Sequence, residues 1–259
     1  MEMLPRDDQT RPINGFEMYC EVRGKGEPLL FLSGFTGLGA DWDVIFKDPV
    51  DGFQLVLPDV RGHGRSTNPS GEFTFRQSAL DVTALLDQLG IDRFKAIGLS
   101  GGAETLLHIA TMQPGRIEAM VLVSGTPYFP EQARVIMRRM TVDSHTKEEW
   151  AMMRRRHLYG DSQIRALWQH ANEFAGSFND VNFTPPVLST IKARTLIVHG
   201  DRDPFYPVSL AVEMYNAIPQ SYLWIVPSGG HGPIFQDMSS RFTESALAFL
   251  RSEWNTGRL

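Results

Sequence analysis

Phe94-Lys-Ala-Ile-Gly98-Leu-Ser100-Gly-Gly102 is the stretch around which this chain organises itself. Phe94 to Leu99 is apolar with little alternation, the pattern of a strand buried on both faces. A helix is expected to open at Gly101 and run toward Met112, with Pro114-Gly115 closing it. Strand, tight turn and helix therefore meet at Ser100, where a sharp turn presents the hydroxyl at the sheet edge. Gly98 and Gly102 let such a turn close without side-chain collisions. The G-x-S-x-G pattern alone is weak: with Gly near 7% of residues and Ser similar, a chain this long holds roughly 0.1 chance matches. The elements on either side give it weight.

Outward from that turn, apolar runs alternate with helical periods. Phe16 to Val22, Leu29 to Leu32, Gln54 to Leu57 and Glu118 to Val123 read as further strands. Thr74-Phe-Arg-Gln77 reads as a capping box, followed by Phe75, Ala79, Val82, Leu86 and Leu89 at helical spacing until Gly90. The fold class is α/β, with a mostly parallel sheet flanked by helices. Between about Tyr128 and Ile191 the strand signal disappears, and the segment reads as an inserted helical cap. Thr146-Lys-Glu-Glu149 is a second capping box, and Asp161 is expected to cap another helix carrying Ile164, Leu167, Trp168 and Ala171. Strands at Thr195 to His199 and Tyr222 to Val226 follow, with helices at Pro207 to Ala217 and through Phe242, Ala246 and Phe249. The division is thus a core of residues 1–127 and 192–259 and a cap of residues 128–191.

The chain has 259 residues, 42% of them hydrophobic, enough for a full core, and a formal charge of −5. That balance argues against nucleic acid and against an anionic membrane surface as partners. The acidic start, Met1-Glu-Met-Leu-Pro-Arg-Asp-Asp, lacks a secretory pattern, and no apolar run reaches the length of a membrane span, so a soluble, cytoplasmic protein is expected. Cys20 is the only cysteine, which excludes an intrachain disulfide and reads as a small buried hydrophobe.

A serine hydroxyl is a poor nucleophile until a base takes its proton and a further group holds that base's tautomer. Of seven histidines, His231 in Ser228-Gly-Gly-His-Gly-Pro233 follows the last strand in a flexible loop. Asp201 and Asp203, in His199-Gly-Asp-Arg-Asp-Pro-Phe-Tyr-Pro207, follow another strand. Ser100, this acid pair and His231 thus each lie beyond the carboxyl end of a different strand, where open α/β sheets place their sites.

With these motifs the chain resembles the α/β-hydrolase superfamily, in the manner of small cap-bearing serine esterases, over nearly all its length except the cap. Leu32-Ser-Gly-Phe-Thr-Gly37 is similar to the family's oxyanion loop, Asp59-Val-Arg-Gly-His-Gly-Arg-Ser66 to the loop after the next strand, and Gly200-Asp-Arg-Asp203 with Pro207 to the acid loop. The resemblance implies Ser100 as nucleophile, His231 as general base and Asp203, four residues before the proline, as the acid. Asp201 becomes a loop-structuring carboxylate. It also implies an oxyanion hole from the backbone N–H groups of Phe35 and Gly101, the latter at a helix N-terminus. Ser33 stands where many members of the family have His, so loop packing is expected to differ while the backbone donors remain.

The activity so implied is hydrolysis of a small or medium carboxylic ester through an acyl-enzyme, with a small-molecule substrate and no cofactor. Lactonase, thioesterase and carbon–carbon bond hydrolase activities share this apparatus, and a non-catalytic ligand receptor is the reading from another class. A serine nucleophile argues against the dehalogenase and common epoxide hydrolase relatives, which use aspartate. No dinucleotide or Walker A loop is present. His63 reads as structural, and Asp59 and Arg61 as an ion pair tying their loop. His199, Asp201 and Asp203 are not taken as metal ligands. Arg138-Arg139 and Arg154-Arg-Arg156 read as solvated cap faces, the sharper alternative being a dock for an acidic carrier protein or an anionic substrate group. Trp150, Trp168, Met152 and Met153 fit cap core better than pocket wall. The two tryptophans are kept as candidate substrate contacts.

Overall fold

The computed structural model describes residues 6–46 and 50–255. The first five residues of the acidic start lie outside them. Eight strands form one sheet: β1 (Arg6–Ile13), β2 (Phe16–Gly24), β3 (Glu27–Leu32), β4 (Phe53–Pro58), β5 (Phe94–Leu99), β6 (Ile117–Val123), β7 (Arg194–Gly200) and β8 (Ser221–Val226). Their order is β1-β2-β4-β3-β5-β6-β7-β8. The pairs β1·β2 and β2·β4 are antiparallel, and every pair from β4·β3 to β7·β8 is parallel.

The chain leaves β3 toward β4 on one side and returns to place β5 on the other. This reversal opens a crevice at the carboxyl ends of β3 and β5, the place where such sheets bind ligands. The strand runs read from the sequence coincide with β2 to β8 within a residue or two. Strand β1 is an addition. Its residues, Arg6-Asp-Asp-Gln-Thr-Arg-Pro-Ile13, are mostly polar, as suits an edge strand paired on one side only.

Helices α1 (Phe75–Gln88) and α2 (Gly101–Met112) pack on one face of the sheet, and α7 (Val208–Ala217) joins the same apolar cluster, the three contributing Val82, Leu106 and Met214 among others. The other face is covered by α8 (Ser239–Leu250), with Phe242 and Phe249 buried, and by the 3-10 turn Gly39–Val44 that contributes Trp42. Thr74 accepts from the Gln77 N–H at 3.0 Å as the capping box requires. The Gln77 side chain does not return to Thr74, however. It donates to Asp81 Oδ1 at 2.9 Å, so only half of the expected box forms.

Between β6 and β7 the described residues form no strand, only α3 (Glu131–Met137), α4 (Lys147–Arg156), α5 (Gly160–Glu173), the short α6 (Pro185–Leu188) and single-turn pieces. The two ends of this stretch meet in an isolated bridge between Tyr128 and Asn182. Both halves of the Thr146–Glu149 box form. Asp161 does not cap α5: Tyr159 occupies that position, and Asp161 lies within the first turn, paired with Arg154 at 2.7 Å. Buried Arg134 braces the segment internally, donating to the carbonyls of Phe129 (2.9 Å), Phe174 (3.4 Å) and Ala175 (2.7 Å). Arg138, Arg139, Arg154 and Arg155 are exposed as expected, Arg138 pairing with Glu131, whereas Arg156 is half-buried against Asp41.

The Asp59–Val60–Arg61 loop is tied differently from the expectation. Arg61 pairs with buried Asp81 of α1 at 2.8 Å, and Asp59 pairs with Arg65 at 2.9 Å. Arg61 also lies over the Phe16 ring, 4.1 Å from its centroid. Cys20 is fully buried in β2, and burial pushes its thiol up to about 12, which leaves it unreactive.

The helical segment docks on this same loop. The Gly64 N–H donates to His157 Nδ1 at 2.9 Å, and the Gln163 amide donates to the carbonyls of Gly62 and Gly64. Asp180 accepts from the first N–H groups of α1, Phe75 at 2.7 Å and Arg76 at 3.1 Å. His63 and His157 are both buried, with rings 6.2 Å apart. Burial lowers each from 6.5 to about 4, the neighbouring Arg156 charge adding to the shift of His157.

Because the unfolded chain takes up these protons near pH 6.5 and the folded one only near 4, their contribution is intact above 6.5 and declines as pH falls toward 4. Each shift corresponds to at most about 3 kcal/mol. Urea denaturation at steps from pH 7 to pH 4 is expected to show this decline, and His157→Gln should make it shallower. Equal slopes for both proteins would exclude His157 as a source.

Candidate active site

Ser100 connects β5 to α2 with φ 49° and ψ −117°, in the left-handed half of backbone space that a side chain disfavours. Its neighbours hold it there: the Ser100 N–H donates to the Val123 carbonyl at 2.8 Å, and the Ser100 carbonyl accepts from Ala103 and Glu104. Gly98 and Gly102 are required sterically. A Cβ at Gly98 would lie 2.6 Å from the Gly102 carbonyl oxygen, and one at Gly102 would lie 2.2 Å from that of Leu32. The expected strand, turn and helix are thus in place, with α2 running from Gly101 to Met112.

The two predicted partners converge on the serine hydroxyl. His231 Nε2 lies 2.9 Å from Ser100 Oγ, and Nδ1 of the same ring lies 2.8 Å from Asp203 Oδ2. Asp203 uses its other oxygen to accept from the Phe205 and Tyr206 N–H groups at 2.8 and 3.1 Å. Burial would raise the Asp203 pKa, but the bond and charge of His231 and the two backbone donors outweigh it, so the carboxyl lies below its ordinary value. It is therefore a carboxylate, and the assigned tautomer puts the proton on Nδ1 and leaves Nε2 free to accept from Ser100.

Asp201 takes no part in this chain. It structures its loop through the backbone, its N–H donating to Val226 at 3.2 Å, while its Oδ1 lacks a hydrogen-bond partner and sits 4.0 Å from Arg202. His199 lies behind Asp203, with Nε2 on the Tyr206 carbonyl at 2.8 Å and 3.9 Å from Asp203 Oδ2.

Gly34 and Phe35, in the loop after β3, lie beside this centre. A Cβ placed on Gly101 would come 3.2 Å from the Phe35 nitrogen, so the Phe35 and Gly101 peptides are neighbours. Ser33 fastens the loop by donating its hydroxyl to the Leu38 carbonyl. Above Ser100 is a cavity of about 260 Å³, walled by Phe35, Phe75, Phe129, Met137, Phe174 and Tyr206 among others. Phe174 packs on Phe35 at 4.8 Å and on Phe75 at 4.9 Å between centroids, so the segment after β6 closes over the crevice.

Trp150 and Trp168 are not in this wall. They meet edge to face at 4.5 Å, with His145 stacked on Trp168 at 3.8 Å, in a small separate cluster with Met153, Ile164 and Leu167. Their helical spacing on α4 and α5 turns them toward each other, which removes them as direct lining of the cavity.

The family model described as alpha/beta hydrolase fold matches residues 27–151. A serine hydrolase named BPHL from Mus musculus is 27% identical over 249 residues, covering 91% of this chain and 84% of that protein. A 2-hydroxy-6-oxo-6-(2'-aminophenyl)hexa-2,4-dienoic acid hydrolase from Metapseudomonas resinovorans is 23% identical, covering 90% and 86%. Among solved structures, an esterase from Rhodococcus sp. ECU1013 superposes with a TM-score of 0.74 at 21% identity, covering 97% of this chain and 99% of that one. The chain has the α/β-hydrolase fold. Its relatives span several hydrolytic chemistries, so the likeness supports the fold and a hydrolase and leaves the substrate to the site.

Three residues of this α/β-hydrolase site went unnoticed in the sequence. Ser124, at the end of β6, accepts from the Gly232 N–H at 3.0 Å and so anchors the loop carrying His231. Nothing local marks it, because the partner is 108 residues away. Glu104 and Tyr206 also line the cavity. Glu104 was detectable as an acid one helical turn after Ser100, on the face of α2 expected to be buried.

The close approach of α2 to β3 has a measurable consequence. Gly102→Ala is expected to lower stability by about 1–3 kcal/mol through overpacking against Leu32. Gly115→Ala, where a Cβ meets nothing within 4 Å, should not. Thermal denaturation of both variants checks the contrast.

Proposed function

We propose that this protein is a serine hydrolase that cleaves carboxylic esters of small or medium size through an acyl-enzyme. The observation that carries the reading is the unbroken hydrogen-bonded chain from Ser100 Oγ through His231 to Asp203. Ser100 attacks the ester carbonyl as its proton passes to His231 Nε2, and the imidazolium so formed is stabilised by the Asp203 carboxylate. The Phe35 and Gly101 N–H groups hold the oxyanion, with the positive end of the α2 dipole adding to the second donor.

His231 then gives its proton to the departing alkoxide, which leaves as the alcohol. Water, deprotonated by His231, adds to the acyl-enzyme, and the acid is released with the proton returned to Ser100. Residues 128–191 act as a cap over a core of residues 1–127 and 192–259. Phe129, Met137 and Phe174 from the cap give the acyl group an apolar enclosure of about 260 Å³, a size suited to small acyl chains.

A second reading, cleavage of a carbon–carbon bond beside a carbonyl, is supported by the relative named as a hexadienoic acid hydrolase. The same serine, base and oxyanion donors serve that chemistry. p-Nitrophenyl esters of graded chain length, set against thioesters, lactones and vinylogous diketones, distinguish the readings. Turnover of the short esters supports the first, and turnover of the diketones alone replaces it with the second.

Ser100→Ala and His231→Ala are each expected to remove nearly all activity, and the double variant to lose little more, because the residues act as one unit. Asp203→Asn should reduce kcat by about 10⁴-fold by imposing the wrong histidine tautomer. Asp201→Asn should change it far less, and the opposite ranking would overturn the acid assignment. A fluorophosphonate probe should label the wild type at Ser100. Failure to label folded protein would remove the activated nucleophile.

A further inference from the structure

The cavity above Ser100 is aromatic and aliphatic over most of its wall, and besides Thr36 it carries two buried polar side chains that the triad chemistry does not use, Glu104 and Tyr206. Glu104 lies four residues after Ser100 on α2, so it shares the helix face that looks onto the nucleophile. It is fully buried. One oxygen, Oε1, accepts from the Thr126 N–H at 3.0 Å, while Oε2 has no hydrogen-bond partner.

A buried carboxyl with one oxygen engaged and the other unmatched is an uncommon arrangement in a folded protein, and it asks for an explanation. Burial pushes the Glu104 carboxyl well above the usual range, and the negative charges of Asp203 and Asp180 add to the effect that the Thr126 N–H opposes. The group is then a neutral acid. With Oε1 occupied as an acceptor, the proton belongs on Oε2, which becomes a donor.

Tyr206 follows the acid loop and reaches the same volume. It is 3% exposed, its ring is 5.4 Å from that of His231, and it lines the cavity together with Ser100 and Glu104. Burial raises its pKa as well, so it also stays protonated. Two neutral donors therefore border one apolar cavity beside the nucleophile.

We propose that Glu104 and Tyr206 are specificity-determining residues that select acyl chains carrying a hydrogen-bond-accepting oxygen, such as a ketone or an ether, over plain hydrocarbon chains. The inference rests on the acyl-enzyme reading of this site. A plain chain would leave the Glu104 donor buried and unmatched, whereas an oxygenated one supplies its missing partner. An ammonium-bearing chain would require the carboxylate form and is disfavoured.

The test compares p-nitrophenyl hexanoate with its 4-oxo, 5-oxo and 5-amino counterparts. In the wild type, kcat/KM for at least one oxo ester should exceed that for hexanoate by about ten-fold, the value of one well-placed hydrogen bond. Glu104→Gln should keep that ratio, because its amide oxygen still accepts from Thr126 and its NH₂ still donates. Glu104→Leu and Tyr206→Phe should each bring the ratio toward one. A wild-type ratio near one for every oxygen position, or a preference for the amino ester, overturns the proposal.

Binding of the corresponding methyl esters to Ser100→Ala, measured by calorimetry, reads the same preference without turnover and so separates this inference from the hydrolase reading. Infrared difference spectra of that variant give a readout that a purely structural carboxyl would not move. The protonated-carboxyl stretch, absent in Ser100→Ala/Glu104→Gln, should shift when the oxo ester binds and stay still with hexanoate. No shift with any oxo ester overturns the role of Glu104 even if Glu104→Leu fails to fold.

Discussion

The contact on which the structure depends is the approach of the Gly102 backbone to the Leu32 carbonyl, too close for a Cβ to intervene. It draws the first turn of α2 against the end of β3. That approach keeps Ser100 in its left-handed conformation, sets the Gly101 peptide beside that of Phe35, and aims the helix N-terminus into the crevice between β3 and β5. A side chain at Gly102 would push the helix away and disperse all three effects together.

Other groups at the site are placed by longer-range ties that converge on the same point. Asp203 is held by two peptide N–H groups of its own loop, and the His231 loop is held by Ser124 from β6. The histidine is thereby oriented from two directions before any substrate arrives. Such preorganisation spares the reorganisation that charge development would otherwise demand of the surroundings.

Most of the sheet was legible in the sequence because parallel strands buried on both faces leave long apolar runs, and the runs from Phe16 to Val226 mark β2 to β8 well. The edge strand β1 escaped notice because one-sided pairing permits polar residues. Ser100, the Asp201 and Asp203 pair and His231 were legible because each stands just beyond a strand, a local feature, and the resemblance to the hydrolase acid loop then singled out Asp203. Pairings across the chain were not. Arg61 chooses Asp81 over Asp59, and Trp150 and Trp168 turn toward each other and away from the cavity, since tertiary packing decides among partners that local sequence ranks equally. The position of Glu104 on α2 was detectable, but its unpaired oxygen was not, because no pattern of residues records a missing partner.

Arg134 gives the roof of the cavity a further property. By gathering the carbonyls of Phe129, Phe174 and Ala175 around one buried guanidinium, it joins two stretches of the roof more than forty residues apart into one body. The reactive groups below are fastened to strands and owe nothing to that guanidinium. Size and reactivity are therefore inherited separately: substitutions at Phe129 or Phe174 can reshape what enters while the serine, histidine and aspartate keep their alignment. A scaffold divided in this way is a natural starting point for divergence in what the cavity admits without rebuilding the groups that line up beneath it.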